Sequence, residues 1–127
     1  MTESTNSKIM TTREVAFRFN ELAQQEKWFE IQEELFADNV KSIEPVNSPY
    51  MGYAEGKANV RKKGEDFVKK IEAFHGATTS EPAVGGNYFA VGREMEITLQ
   101  EFGRIQMNQV MLYDVKNGQI ISEQFFY

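Results

Sequence analysis

The side chains that could do chemistry in this chain are few, because the sequence has no cysteine and one histidine, His75. Thiol nucleophiles, disulfides, thiolate metal sites and histidine-rich zinc centres are therefore excluded. The chain also lacks the Asp-x-Asp-x-Asp-Gly spacing of a calcium loop and the glycine-rich turn of a phosphate loop. We therefore expect no metal and no cofactor, and chemistry based on carboxylates, amides and aromatic rings.

His75 is a candidate proton shuttle, because imidazole is the side chain that titrates near neutral pH without perturbation. The alternative is structural. The apolar spacing predicts a helix from about Lys57 to His75, and a histidine in the last turn interacts favourably with the C-terminal end of the helix dipole.

Two further helices are predicted before this one. Thr11 and Glu14 fit a capping box at the start of the first, which carries apolar residues at helical spacing. The second begins near Trp28 and ends at Asp38-Asn39.

Strands are predicted elsewhere. Residues 40–44 alternate like a short strand that Pro45 must end. From Thr78 onward apolar and polar residues alternate as in strands. Turn signals at residues 85–86, 102–103 and 117–118 separate four predicted strands. Asn117-Gly118 is typical of a type I′ hairpin. Three helices followed by an antiparallel meander predict an α+β fold with the helices on one face of the sheet.

Length and charge limit the organisation and the partners. A chain of 127 residues predicts a single domain, here residues 11–127, preceded by a flexible tail at residues 1–10. The net charge of −5 disfavours nucleic acid as a partner, and Arg61, Lys62 and Lys63, interleaved with acidic residues, predict a solvated helix face. No apolar run approaches the roughly 18 residues of a membrane span, and the polar start lacks a secretory signal. We therefore expect a cytoplasmic protein with no membrane contact.

The order of these segments resembles the nuclear transport factor 2-like superfamily, which includes SnoaL-like polyketide cyclases and ketosteroid isomerase. Three segments carry the resemblance. Residues 35–40 (Leu-Phe-Ala-Asp-Asn-Val) resemble the end of the family's second helix, and Ile43-Glu44-Pro45-Val46 resembles the acidic residue and proline that end its first strand. Residues 117–120 and the aromatic end at residues 125–127 are similar to its last hairpin. The resemblance implies a cone-shaped fold, with three N-terminal helices packed on a curved, mainly antiparallel sheet.

The resemblance implies that Glu44 is a general base, since it matches the aspartate that removes a proton beside a carbonyl in ketosteroid isomerase. A carboxylate in an apolar cavity has its pKa raised toward the range of such a base. The alternative is a carboxylate at the surface or at the mouth of a cavity. Phe19 stands where the isomerase has a tyrosine hydroxyl, which argues against steroid isomerisation.

Asn108 and Gln109 are candidate substitutes for the missing oxyanion donor, and only one of them can face the cavity because they project to opposite faces of the strand. Strand pairing about the Asn117-Gly118 turn predicts a cavity-lining face that is shared between the last two strands. It comprises Asn108, Val110 and Leu112 together with Glu123, Phe125 and Tyr127. The alternative for Asn108 is an exposed strand residue or a subunit contact.

Aromatic residues make up 13% of the chain and could line a cavity for an apolar ligand, although most of them must also fill the core. The candidate ligand contacts are Phe19, Trp28, Tyr53, Val110, Leu112, Phe125 and Tyr127. We therefore expect a protein that binds a small apolar molecule, either as a cofactor-free isomerase or cyclase with a carboxylate base or as a non-catalytic binding or interaction module. Apolar residues on both faces of residues 107–115 also predict a homodimer through the sheet.

Overall fold

The computed structural model describes residues 9–127, and it shows three helices and seven strands in that range. The helices are α1 (Thr12–Ala23), α2 (Trp28–Leu35) and α3 (Lys57–Lys69). Helix α1 begins with the predicted capping box, in which the Thr11 hydroxyl accepts from the Glu14 amide and the Glu14 carboxylate accepts from the Thr11 amide. This reciprocal pair satisfies two amides that the first helical turn leaves free.

The seven strands form one mixed sheet. The strands are β1 (Phe36–Ile43), β2 (Ala54–Glu55), β3 (Ile71–Thr79), β4 (Ala83–Gly85), β5 (Tyr88–Leu99), β6 (Gly103–Lys116) and β7 (Gln119–Phe126). Their order is β2-β1-β7-β6-β5-β3, with β4 on β5. The β1–β7 pair is parallel and the other pairs are antiparallel, so the α+β class is confirmed.

The principal core lies between the helices and the inner face of the sheet. Its buried residues come from all three helices and from β1, β5, β6 and β7, and they centre on Phe19, Phe89 and Tyr113. The rings of Phe89 and Tyr113 are stacked 5.0 Å apart, and Phe19 meets both. Burying several aromatic rings in one cluster stabilises the contact between helices and sheet.

The third helix is shorter than predicted. It ends at Lys69, and residues 71–79 instead form β3, which pairs antiparallel with β5. His75 therefore lies in a strand, and the predicted interaction with a helix C-terminus is wrong. Apolar residues at helical spacing continue to Phe74, but backbone pairing with β5 outweighs that local preference.

The second helix also ends early, because Phe36 begins β1 directly and Asp38-Asn39 lie within that strand. The Asn117-Gly118 turn is confirmed, with φ of 52° and 76°. Of the predicted tail, residues 1–8 lie outside the described range, while Ile9 and Met10 precede α1 without regular structure. No helix within residues 9–127 is long and apolar enough to cross a membrane.

Candidate functional site

A cavity of about 600 Å³ lies between the helices and the inner face of the sheet. Its wall is mostly aliphatic and aromatic, with a few charged side chains among them. Such a wall, with a small number of placed polar groups, is typical of sites for small molecules. The main apolar lining residues are Trp28, Phe29, Ile31, Phe36, Val60, Phe67, Phe74, Met95, Met111, Tyr113 and Phe125.

One end of the cavity contains a chain of buried polar side chains. Glu44 Oε2 lies 2.7 Å from Lys63 Nζ, and Lys63 also donates to Ser42 Oγ at 2.8 Å. Ser42 in turn donates to Glu123 Oε2 at 2.7 Å. The side chains of Lys63 and Glu44 are only 13% and 1% exposed, so this ion pair is almost fully removed from water.

The backbone brings these groups together. Ser42 lies opposite Glu123 in the parallel β1–β7 register, and Glu44 follows two residues after Ser42, which places its side chain on the same face. Lys63 reaches them from α3, where Val60 and Phe67 also line the cavity. Ser42, Glu123 and Lys63 are therefore held by two strands and one helix, and Glu44 lies directly after the end of β1.

Burial raises the pKa of the Glu123 carboxyl to about 7, and the nearby Glu44 charge adds to the rise. The hydrogen bond from Ser42 and the positive charge of Lys63 oppose the rise without cancelling it. Glu123 Oε2 accepts from Ser42, and this is the one side-chain hydrogen bond of Glu123 within residues 9–127. Glu123 can therefore exchange a proton near neutral pH through an oxygen that is free to meet a ligand.

Tyr127 extends the chain toward solvent. Its hydroxyl donates to Glu44 Oε1 at 2.6 Å and also contacts Ser48 Oγ in the loop after β1. Partial burial and the hydrogen bond to Glu44 raise the Tyr127 pKa well above its ordinary value, so the phenol stays protonated as a donor. A continuous series of contacts thus connects the exposed Ser48 loop to Glu123.

A second polar group lies elsewhere on the same cavity wall. Arg93 on β5 is 6% exposed, and its guanidinium stacks 4.7 Å from the centre of the Trp28 ring. It makes two hydrogen bonds with Glu26, at 2.9 and 3.1 Å, and a third with the Thr79 hydroxyl. Trp28 Nε1 also donates to Glu26. Burial acts to raise the Glu26 pKa, but the hydrogen bonds from Arg93 and Trp28 outweigh it, and the net pKa lies below the ordinary value.

The structure places three of the candidate residues on the cavity wall: Glu44, Trp28 and Phe125. Tyr127 touches Glu44 and so belongs to the polar chain. Phe19 is fully buried behind the wall, where its ring meets the edge of Trp28 at 5.8 Å.

Three candidates on β6 lie on the opposite face of the sheet from the cavity: Asn108, Val110 and Leu112. The predicted pairing placed Leu112 opposite Glu123, whereas the structure pairs Tyr113 with Glu123 and Met111 with Phe125. The cause is a β-bulge next to the hairpin, where the register shifts between Asp114 and Val115 and one extra residue enters β7. A slip of one residue exchanges the faces of a strand.

Two other candidates also lie away from the cavity. His75 is exposed on β3, and its Nε2 lies 2.8 Å from the Thr98 hydroxyl. Tyr53 is 57% exposed in the loop before β2 and donates to Glu55. Neither contacts the buried carboxylates.

Ser42, Lys63 and Arg93 are polar residues of the site that the sequence interpretation does not single out. The sequence predicts a solvated face for Lys63, yet Val60, Lys63 and Phe67 follow the three- and four-residue spacing of a single helix face, and that spacing is the available signal. Glu123 was predicted to share the cavity-lining face with Phe125, and the structure has both on the cavity wall. The sequence interpretation did not give Glu123 a role in proton transfer.

No cluster of three metal-binding side chains occurs in the part of the chain that the structure describes. The charged side chains on the cavity wall are carboxylates together with Lys63 and Arg93, and the Tyr127 hydroxyl reaches one of these carboxylates, Glu44.

The comparisons agree with this architecture. The sequence model of the SnoaL-like domain family matches residues 10–127, so the chain belongs to that family. The chain is 35% identical to a Mesorhizobium loti protein provisionally assigned as a SnoaL-like polyketide cyclase, with a TM-score of 0.87 over 93% of this chain and 100% of that one. A search of curated proteins finds no match.

Two more distant structures share the fold alone. A protein from Catenulispora acidiphila with a ketosteroid isomerase-like fold, in complex with trimethylamine, has a TM-score of 0.68 at 14% identity, over 92% of this chain and 87% of that one. A protein of unknown function with a cystatin-like fold from Xanthomonas campestris has a TM-score of 0.74 at 17% identity, over 92% and 90% of the two chains. The predicted resemblance to the nuclear transport factor 2-like superfamily is confirmed.

Proposed function

We propose that this protein binds a small, mainly apolar carbonyl compound in the cavity and transfers a proton at the carbon beside the carbonyl, without a cofactor. The observation that carries the proposal is the buried chain Glu44–Lys63–Ser42–Glu123, of which Glu44, Lys63 and Glu123 line a mainly apolar cavity. The resemblance also implies a cone-shaped fold and an activity like that of polyketide cyclases, and we include both in this proposal.

Glu123 is the proposed base. Its raised pKa near neutrality supports this role, because a base is most effective when its pKa lies near the working pH. Glu44, which the resemblance implied as the base, is engaged by both Lys63 and Tyr127. In the proposal Glu44 is a positioning residue that holds Lys63 beside the reacting group.

Lys63 is the proposed stabiliser of negative charge. An ammonium group has three donors. Lys63 donates one to Ser42 Oγ and is ion-paired with Glu44 Oε2, which accepts no hydrogen bond within the described residues. A remaining donor can bind the oxygen of an enolate formed when Glu123 removes the proton. A cation in a water-poor cavity stabilises such charge far more strongly than it would in water.

The test is deuterium exchange of a small aryl ketone in D₂O, followed by NMR. We expect the protein to accelerate exchange beside the carbonyl, and Glu123→Gln to slow it by at least about 100-fold while ketone affinity changes little. Glu44→Gln tests the resemblance, since loss of exchange only in that variant would make Glu44 the base. Ketone binding without exchange in the unmodified protein would support the alternative, a non-catalytic binding module.

We also propose that the protein is a homodimer through the outer face of the sheet. Val110 and Phe126 are direct cross-strand partners on β6 and β7, and they are 49% and 47% exposed. Tyr88 on β5 adds a third half-exposed apolar side chain. Neighbouring apolar side chains on one strand face support a contact with a second copy.

A further inference from the structure

The Arg93 end of the cavity points to the chemical class of the ligand. Arg93 is one of two cations on the cavity wall, and it lies on β5 rather than in the Glu44–Lys63 chain. An arginine presents a planar fork of donors that matches a carboxylate with two parallel hydrogen bonds. In the structure Glu26 supplies that carboxylate.

Glu26 is a replaceable partner for Arg93. It belongs to the connection between α1 and α2, and its side chain is 41% exposed while that of Arg93 is 7% exposed. Its backbone has φ of 58°, a left-handed conformation that costs free energy in a residue other than glycine. When Glu26 releases Arg93, the connection between α1 and α2 can leave this strained backbone conformation, and the Glu26 carboxylate returns to water.

Gln109 provides a second group next to Arg93. The two residues are direct partners in the β5–β6 register and both line the cavity. Side chains of such partners lie about 5 Å apart at Cβ. The Gln109 amide makes no hydrogen bond to any of residues 9–127, which leaves its N–H groups available to a ligand oxygen.

We propose that Arg93 and Gln109 form a subsite for the carboxylate of a small amphipathic acid, and that Glu26 occupies this subsite when no ligand is bound. The proposal rests on the proposed function, because it assigns the ligand of that same cavity. The acid end of the ligand meets Arg93, its apolar body lies along the aromatic wall, and its carbonyl faces the Glu123 end.

The test compares naphthylacetate with its neutral amide, naphthylacetamide, by isothermal titration calorimetry. Trp28 is the sole tryptophan of the chain and stacks on Arg93, so its fluorescence provides a second readout of occupancy. We expect the acid to bind more tightly than the amide, and Arg93→Met to reduce that preference about tenfold or more.

Glu26→Gln separates this proposal from a structural role for the ion pair. Removing the internal competitor should raise the affinity for naphthylacetate several-fold and leave the amide unchanged. Glu33→Gln is the matched control, because it removes the same charge from an exposed position of α2 outside the cavity wall. Circular dichroism and thermal melting check that each variant folds.

Three results overturn the proposal. The first is an unchanged preference for the acid in Arg93→Met, and the second is a Glu26→Gln affinity equal to or below that of Glu33→Gln. In both cases, binding of naphthylacetamide would still support the proposal that the cavity binds a small molecule. The third is absence of binding by both compounds, which overturns the small-ligand function and the subsite together.

Discussion

Glu123 and Ser42 face each other across the parallel β1–β7 pair, with Glu123 Oε2 2.7 Å from Ser42 Oγ. This contact connects a carboxyl of raised pKa to the Lys63–Glu44 ion pair. The parallel pair is the one exception in an otherwise antiparallel sheet, and it brings the end of the chain beside the first strand. The polar chain of the site depends on it.

Glu123 should make the stability of the protein depend on pH. The folded protein binds the Glu123 proton more tightly than the unfolded chain, since its pKa is about 7 instead of 4.5. The resulting stabilisation is fully present below pH 4.5 and is lost as the pH rises to about 7. At about 1.4 kcal/mol per unit of pKa, the loss is roughly 3 kcal/mol.

Urea denaturation of the unmodified protein and of Glu123→Gln measures this effect. The glutamine variant lacks the titrating group, so its free energy of unfolding should rise relative to the unmodified protein across that pH range. If the free energies of unfolding of the two proteins changed in parallel with pH, the Glu123 pKa would be the same in the folded and unfolded states.

Lys63→Met should destabilise the protein by about 3 kcal/mol or more, because it leaves the Glu44 carboxylate buried without its cation. It should also raise the Glu123 pKa further, since the Lys63 charge lowers that pKa. Adding Glu44→Gln should restore most of the stability. Lys62→Met is the control, because Lys62 pairs with Asp66 in solvent and such pairs contribute under about 1 kcal/mol. Equal losses in the two single variants would contradict a buried ion pair.

Tyr127→Phe should cost about 1–2 kcal/mol of stability, because it removes the donor to Glu44 Oε1. Tyr53→Phe removes a similar hydrogen bond to Glu55, but at an exposed site, and should change stability much less than Tyr127→Phe. Chemical denaturation of both variants measures the difference. A loss at Tyr53 as large as that at Tyr127 would argue against the polar chain as a stabilising unit.

Val110→Glu should convert the proposed dimer to a monomer, since it places a charge beside the half-exposed Phe126 on the outer face of the sheet. Sedimentation velocity at micromolar concentration measures the oligomeric state. Val46→Glu, at a position 98% exposed in the loop after β1, should leave the dimer intact. A monomer in the unmodified protein would overturn the dimer proposal.

The sequence predicted the parts of the fold that rest on local signals. The Thr11–Glu14 capping box and the Asn117-Gly118 turn act through a few neighbouring residues, and both are confirmed. The strand at residues 71–79 was missed because its residues pair with residues of β5 that lie 14 to 28 positions further along the chain. The helical spacing of apolar residues up to Phe74 gives no indication that these residues pair with β5 instead of extending the helix.

The residues that line the cavity were less predictable, because one extra residue in β7 determines which side chains of β6 face inward. The bulge beside Val115 turns Met111 and Tyr113 inward and leaves Asn108, Val110 and Leu112 on the outer face. A two-residue turn signal fixes the hairpin, yet it carries no information about an irregularity further along the ladder. Trp28 and Phe125 line the cavity, because α2 begins where predicted and because Phe125 shares its face with Glu123, and their role as ligand contacts stays a prediction.

Strand β3 is an edge strand of the sheet. Its antiparallel pairing with β5 is interrupted twice, around Glu72 and around His75. An uninterrupted edge strand is a template on which other chains can add, and this is how edge-to-edge aggregation begins. Each bulge breaks the regular row of amides and carbonyls and increases the local twist. The two interruptions at Glu72 and His75 therefore make this edge a poorer template for a further strand than a regular edge would be.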